Sequence, residues 1–293
     1  MYRLIALFLS LFIAANTFAD IKSGITGAVE WDTSQLKADV SLDLASAGIR
    51  LPSGRTQGES LLNLEYLRLI QSGILNLQVD SSSTIGDLIQ KGDFSMSEAE
   101  ALALTASSLP PSLSSDLKKI LSSYKISLSA VSALLLKHNN PSAVMRTLSP
   151  VSTAQYTGLI IIASESLPVH GRRSSALAVP CLFPKIWDSD MNLIYERNML
   201  ESRSAAMARY ASLESIFQNN PSGLSAELTS VVGEKPLRVF ARGVFGVKPT
   251  DLIIDKNDAL LIISSQENRR LLSEGRVAII LDDSVLKQKF SAE

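Results

Sequence analysis

The first clear pattern in the chain is alternation. Between Gly24 and Leu44, Val29 and Trp31 alternate with Ala28, Glu30 and Asp32, and Leu36, Ala38, Val40 and Leu42 then share one parity. A period of two puts apolar side chains on one face of a strand, so the stretch predicts two strands joined near Asp32-Thr33-Ser34. After Pro52 the period changes. Leu62, Tyr66, Leu69, Ile70 and Gly73 fall on one side of a helix, and Thr56 with Glu59 has the spacing of a capping box. A strand at Ile74 to Val79 and a polar loop at Asp80 to Thr84 complete the predicted order strand, strand, helix, strand.

From Ser95 to His138 the texture turns to Ala, Ser and Leu. Helix starts are read at Ser95, with Glu98 behind it, and at Ser112 after Pro110-Pro111, so residues 95–138 are expected to form a helical insertion. Its last part, Ser127 to Lys137, brings Leu128, Val131 and Leu135 to one face, and Asn139-Asn140-Pro141 ends it. Residues 142–155 carry no periodicity and hold Pro150, which marks a connection. The second half opens with Thr157 to Ala163, a buried-strand composition, and Trp187 to Leu193 reads as a hairpin turn running into Tyr195. A helix is expected over Met199 to Phe217, strands over Leu237 to Val244, Leu252 to Ile254 and Val277 to Leu281, and helix within Asp258 to Leu272.

This order is not a regular βαβ repeat, so the predicted class is α+β. It takes the form of two small mixed-sheet domains with helices on one side, 20–141 with the insertion and 156–293, joined by 142–155. Trp31 and Trp187 are expected in different cores, because each stands in an alternating stretch that favours its burial.

Composition narrows the setting. With 293 residues, 46% hydrophobic and 19% charged, the chain is long and apolar enough to fold on its own core. A formal net charge of −1 gives no basic surplus, which removes a general nucleic-acid binder. Residues 1–19 have the form of a cleavable signal peptide: Arg3, an apolar run from Leu4 to Ala15, and Thr17-Phe18-Ala19. The apolar run is short of the roughly 20 residues that span a bilayer, so no transmembrane segment is expected after cleavage. A periplasmic protein starting at Asp20 is the expected product. Cys181 is the single cysteine, which excludes an intramolecular disulfide and points to a buried small hydrophobe.

Candidate chemistry is sparse. Asp188, Asp190 and Asn192 match the opening ligands of a calcium loop, but Leu193 stands where Gly is needed and Met199 where Glu is needed, so a hairpin turn is favoured. Ser-x-x-Lys occurs at Ser115/Lys118, Ser122/Lys125 and Ser284/Lys287 without the companion motifs of the penicillin-binding enzymes. His138 and His170 form no pair at metal-ligand spacing, and RGVFG around Gly243 and Gly246 lacks the remainder of a nucleotide loop. No cofactor, no metal and no catalytic residue is therefore assigned. The densest set of donors is His170-Gly171-Arg172-Arg173. His170, Arg172 and Arg173 make a candidate clamp for an anionic ligand, against the competing reading of a solvated loop tip.

GLIIIAS (158–164), LFPKIWDSDMNLIYE (182–196), PLRVFARGVFGVKPTDLIIDKNDALLI (236–262) and LLSEGRVAIILDD (271–283) resemble a C-terminal module of uncharacterised exported proteins from flagellated double-membraned bacteria, spirochaetes among them. The segment LPVHGRRSSALAVPC (167–181) departs from that module by replacing a shorter glycine-rich link. GAVEWD (27–32), KADVSLDLA (37–45) and LQVDSSSTIGDL (77–88) resemble the small α+β domain of flagellar outer-membrane lipoproteins, although no lipid-bearing cysteine is present. The resemblance implies a non-enzymatic periplasmic protein whose partners are other envelope proteins, flagellar or outer-membrane components among them. An envelope enzyme or small anionic-ligand binder using His170 to Arg173 is the alternative.

Overall fold

The computed structural model describes residues 21–201 and 207–292. The signal segment read at 1–19 lies outside them. β1 (Ser23–Glu30) and β2 (Gln35–Asp43) form the expected antiparallel hairpin, with Ser34 at φ +53° in the turn. Leu36, Ala38, Val40 and Leu42 point inward, and α1 (Arg55–Leu75) covers them with Leu62, Tyr66, Leu69, Ile70 and Ile74. The start of α1 differs from expectation. Gly54 occupies the cap position with no side-chain cap bond, and Glu59 pairs with Arg55 at 2.9 Å instead of capping with Thr56. Ile74 continues the helical stripe one turn beyond Ile70, so the strand expected from Ile74 is helix to Leu75 and irregular backbone after it.

α2 (Ile85–Lys91) and α3 (Met96–Leu104) start on reciprocal capping boxes, Thr84 with Asp87 and Ser95 with Glu98. The rest of the expected helical insertion is corrected. After β3 (Ser107–Ser108) and β4 (Ser112–Leu113), the nine residues of β5 (Lys119–Ser127) form a full strand beside β2. Ile120, Ser122, Tyr124 and Ile126 alternate inward, a period of two that the serine-rich composition disguised. Helix returns only in α4 (Leu128–Leu135).

The second half contributes β6 (Leu159–Ala163), β7 (Leu167–Pro168), β8 (Ser175–Ala176), β9 (Ile186–Asp188), β10 (Leu193–Tyr195) and β11 (Arg209–Ala211). It continues with α5 (Ala226–Val232), β12 (Leu237–Phe245), β13 (Asp251–Ile254), α6 (Lys256–Ile263), α7 (Gln266–Ser273), β14 (Val277–Leu281), α8 (Asp283–Leu286) and β15 (Lys287–Ala292). Among the described residues of Met199 to Phe217 the expected α-helix is not formed. Short 3₁₀ turns at Arg197–Met199 and Leu213–Ile216 flank β11, and residues 202–206 lie outside the description. Tyr210 from the supposed stripe is buried in β11, whereas Phe217 is 72% exposed, so tertiary pairing with β14 overrides the helical spacing.

Seven strands run in the order β10-β9-β13-β12-β6-β14-β11, with β12, β6, β14 and β11 parallel and β13 antiparallel to β12. Helices flank this sheet on both faces. Leu159, Ile161, Val277 and Ile279 look toward Ile262 of α6 and Leu272 of α7, and Ile160, Ala278 and Ile280 look toward Leu228 and Val232 of α5. The mixture of antiparallel and parallel sheet with separate helices is α+β.

The first sheet runs β15-β1-β2-β5-β3, so its edge beside β1 comes from the other end of the chain. Residues 142–155 form no helix or strand and are tied to α6 and its C-terminal end by Thr153 Oγ1 to Leu261 O, 2.8 Å, and Val151 N to Ser264 Oγ, 3.0 Å. One hydrophobic core runs through both halves, from Leu36 and Tyr66 to Phe183, Tyr210 and Ile279. Trp31 packs edge-on against Tyr210 at 5.6 Å, and Trp187 packs against Phe245 at 5.9 Å on the second sheet.

Candidate binding surface

β12 is an interior strand, yet it is bare along part of one face. Leu237, Val239 and Ala241 turn into the core, so Arg238, Phe240 and Arg242 turn outward, and Phe240 is 62% exposed. Parallel sheet is ordinarily covered on both faces. Here Arg238 pairs with Ile160 and Phe240 with Ile162 of β6, on the face that α5 covers only as far as β6.

A β-bulge decides what covers the other side. Ala241 pairs with Ile254 but Gly243 with Ile253, so parity inverts and Gly243 and Phe245 emerge on the same outer face as Phe240. The β7–β8 hairpin lies there. A side chain at Gly243 would meet Pro168 O at 3.0 Å, and His170 stands edge-on to Phe245 at 5.7 Å. The strip Arg238-Phe240-Arg242 is thus left open between α5 and this hairpin.

His170, Arg172 and Arg173 form the exposed tip of the hairpin. Gly171 at φ +78° makes the turn, His170 N donates to Val244 O at 2.8 Å, and Arg172 N donates to Val169 O at 3.0 Å. The backbone is therefore pinned to β12 while both guanidiniums project beyond it. The surface that results is cationic and aromatic: Arg172 and Arg173 on the tip, Arg238 and Arg242 around Phe240. Arg238 is held by Ser222 O at 2.6 Å. Asp258 near Arg242 is the acidic neighbour, its carboxyl raised above the usual range first by burial and then by Asp255. Sequence reasoning found the tip and missed the strip. The signal was present in LRVFARGVF, where Arg, Phe and Arg share the parity opposite to the apolar positions.

The remaining candidates are structural. Asp188 Oδ1 accepts from Asp190 N at 2.9 Å and Asn192 N at 2.8 Å, and Oδ2 accepts from Asn192 Nδ2 at 2.8 Å. Asp190 is engaged by Lys256 at 2.6 Å. The turn's carboxylates are satisfied by protein donors. Ser122 lies on β5 with its Oγ on Leu109 O at 2.8 Å, and Lys125, three positions on in a strand, faces the other way. Lys287 is bound to Glu30. His138 is used in joining the halves, its Nε2 2.7 Å from Leu200 O.

Cys181 is fully buried, and burial with the nearby Asp251 pushes its thiol far up. Such a thiol is a poor nucleophile. Tyr210 Oη brackets the same residue, donating to Cys181 O at 2.8 Å and accepting from Cys181 N at 3.1 Å. Asp251 accepts from Thr250 Oγ1 at 3.1 Å, and burial raises its carboxyl despite that bond. No helix among the described residues is long and apolar enough to cross a membrane.

Two family models match the chain, one over residues 22–134 and the other over 158–283. The first describes the N-terminal domain of Treponema pallidum Tp0624, the second its second domain. The chain is similar to both Tp0624 domains, in the same order. This points to an uncharacterised family of spirochaete type. No curated protein matches the chain. The second Tp0624-like segment contains β12 and the whole β7–β8 hairpin, so the bare strip belongs to that unit. β15 falls outside both segments although it completes the first sheet.

Proposed function

We propose that the protein is a non-enzymatic periplasmic protein that binds other cell-envelope proteins through the β12 strip and the β7–β8 tip. The observation that carries this reading is Phe240, a large aromatic side chain 62% exposed on an interior strand between Arg238 and Arg242. Aromatic and arginine side chains dominate the energetics of protein interfaces, and exposed apolar groups inside a polar rim mark such sites. The signal-peptide pattern at 1–19 supports export, and the likeness to flagellar outer-membrane lipoproteins over 27–88 supports partners among flagellar or outer-membrane components.

The test is fractionation followed by in-cell crosslinking through a photoreactive residue at position 240. Crosslinks to an envelope protein that disappear on Arg242→Glu support the reading. A cytoplasmic protein, or crosslinks no different from those of a probe at exposed Leu64, would overturn it. The exposed guanidiniums of Arg172 and Arg173 favour a second reading, capture of a small anion at the tip. Arg172→Ala/Arg173→Ala would then abolish anion binding and leave the crosslinks at position 240 intact.

A further inference from the structure

The two halves of the chain enclose a cleft of about 650 Å³ that shares no residue with the β12 strip. One wall is the β1–β2 turn with the start of α4. The other is formed where β11 and β14 begin, beside the end of α5. Arg209 pairs with Ala278 across these parallel strands, and Arg276 lies two positions before Ala278. The two arginines therefore share a face on neighbouring strands, with backbones about 8 Å apart from strand spacing and rise.

Among the described residues each guanidinium is anchored by one bond and keeps further N–H groups: Arg209 Nη1 donates to Ser34 Oγ at 2.9 Å, and Arg276 Nε to Val231 O at 3.2 Å. Glu274, the acidic residue of the lining, is held by Arg270 at 2.6 Å, and Glu227 of α5 lies near Arg209. One buried polar group of the lining has no partner among the described residues. Trp31 Nε1 is buried without an acceptor, and Ser132 of α4, itself only 3% exposed, adds a hydroxyl to the same lining. Unpaired buried polar groups are costly, and a junction between two packed units is a common place for a ligand that satisfies them.

We infer that this cleft binds a compact oxyanion, a phosphate or carboxylate borne on a small hydroxylated molecule. The anion sits between Arg209 and Arg276, whose forked donors suit it, and a ligand hydroxyl meets Ser132. The site is separate from the protein-binding strip, so either can fail without the other.

Titration of a Trp187→Phe protein at constant ionic strength tests it, with Trp31 as the fluorescent reporter beside the cleft. Inorganic phosphate, glucose 6-phosphate and glucuronate are the probes, with glucose as the uncharged control. A saturable change with at least one anionic probe and none with glucose is expected. Phosphate-bearing probes alone would assign a phosphate, glucuronate alone a carboxylate. Arg209→Gln and Arg276→Gln should each weaken binding roughly tenfold, the scale of a hydrogen bond to a charged group. Ser132→Ala, which leaves both arginines and the packing in place, should weaken the sugar probes more than inorganic phosphate. No saturable change with any anion, or equal affinity in an Arg209→Gln/Arg276→Gln protein with unaltered circular dichroism, would overturn the inference.

Discussion

Lys287 Nζ lies 2.8 Å from Glu30 Oε1, a contact that spans 257 positions of sequence and fastens the last strand to the first. Glu30 Oε2 is also paired with Lys37 of β2, so one largely buried carboxylate ties three adjacent strands. Lys287 and then Lys37 bring its pKa from 4.5 down to about 2. A depressed carboxylate contributes stability that is complete above the ordinary value of 4.5 and lost as pH falls from there toward 2. Both lysines are more than one-third exposed, which limits the contribution to about 1 kcal/mol. Urea unfolding at pH 7 and pH 3 should show Glu30→Gln less stable than the parent at the higher pH, with the difference shrunk to less than half at the lower, where the loss is under way but not complete.

Phe290 of β15 enters a notch made by two glycines. A Cβ on Gly27 would stand 2.4 Å from the ring and one on Gly73 2.7 Å from it, so the strand is seated only because α1 and β1 lack side chains there. Gly73→Ala should destabilise by about 1–3 kcal/mol through overpacking. In a double-mutant cycle much of that loss should vanish in a Phe290→Ala background. Hydrogen exchange should show the amides of 287–292 opening first in Gly73→Ala. Full additivity would mean that the ring does not occupy the notch.

The hairpin at Asp188 to Asn192 runs on protein donors. Asp188 accepts from three N–H groups, and Met191 is held at φ +61° by the turn. Asp188→Ala should cost about 1–3 kcal/mol because those donors lose their acceptor in a buried position. Calcium should not substitute. The melting temperature is expected to be the same in millimolar calcium and in chelator, and a rise with calcium that Asp188→Asn removes would refute the turn's self-sufficiency.

Tyr210→Phe should be more damaging than its size suggests. The change leaves the volume nearly intact but strips the buried N–H and C=O of Cys181 of their shared partner. A loss of about 1–3 kcal/mol is expected in equilibrium unfolding. The Cys181 thiol offers a second readout. It should resist alkylation in the native parent and become reactive at lower denaturant in Tyr210→Phe, in step with unfolding.

Local pattern alone determined a good part of this molecule. The β1–β2 hairpin follows from the alternation of Leu36 to Leu42, α3 from Ser95 and Glu98, the 187–193 turn from its Asp and Asn, and β14 from an unbroken apolar run. In each case the decisive interactions lie within the segment or on one face of it. The chemistry of Cys181 was legible for the same reason, since Val179, Leu182 and Phe183 already surround it in sequence.

Tertiary structure decided the rest. KILSSYKIS becomes a central strand because β2 offers it a complete ladder, and Tyr210 leaves a helical spacing for β11 because the edge of β14 is open. The bare face of Phe240 depends on how far α5 extends and on a bulge at Ala241–Gly243 that no local pattern encodes. The arginines at 209 and 276 face one cleft only through the register of two strands far apart in sequence. Pairings that close long loops carry no local signature, because the partner that stabilises them is absent from the segment itself.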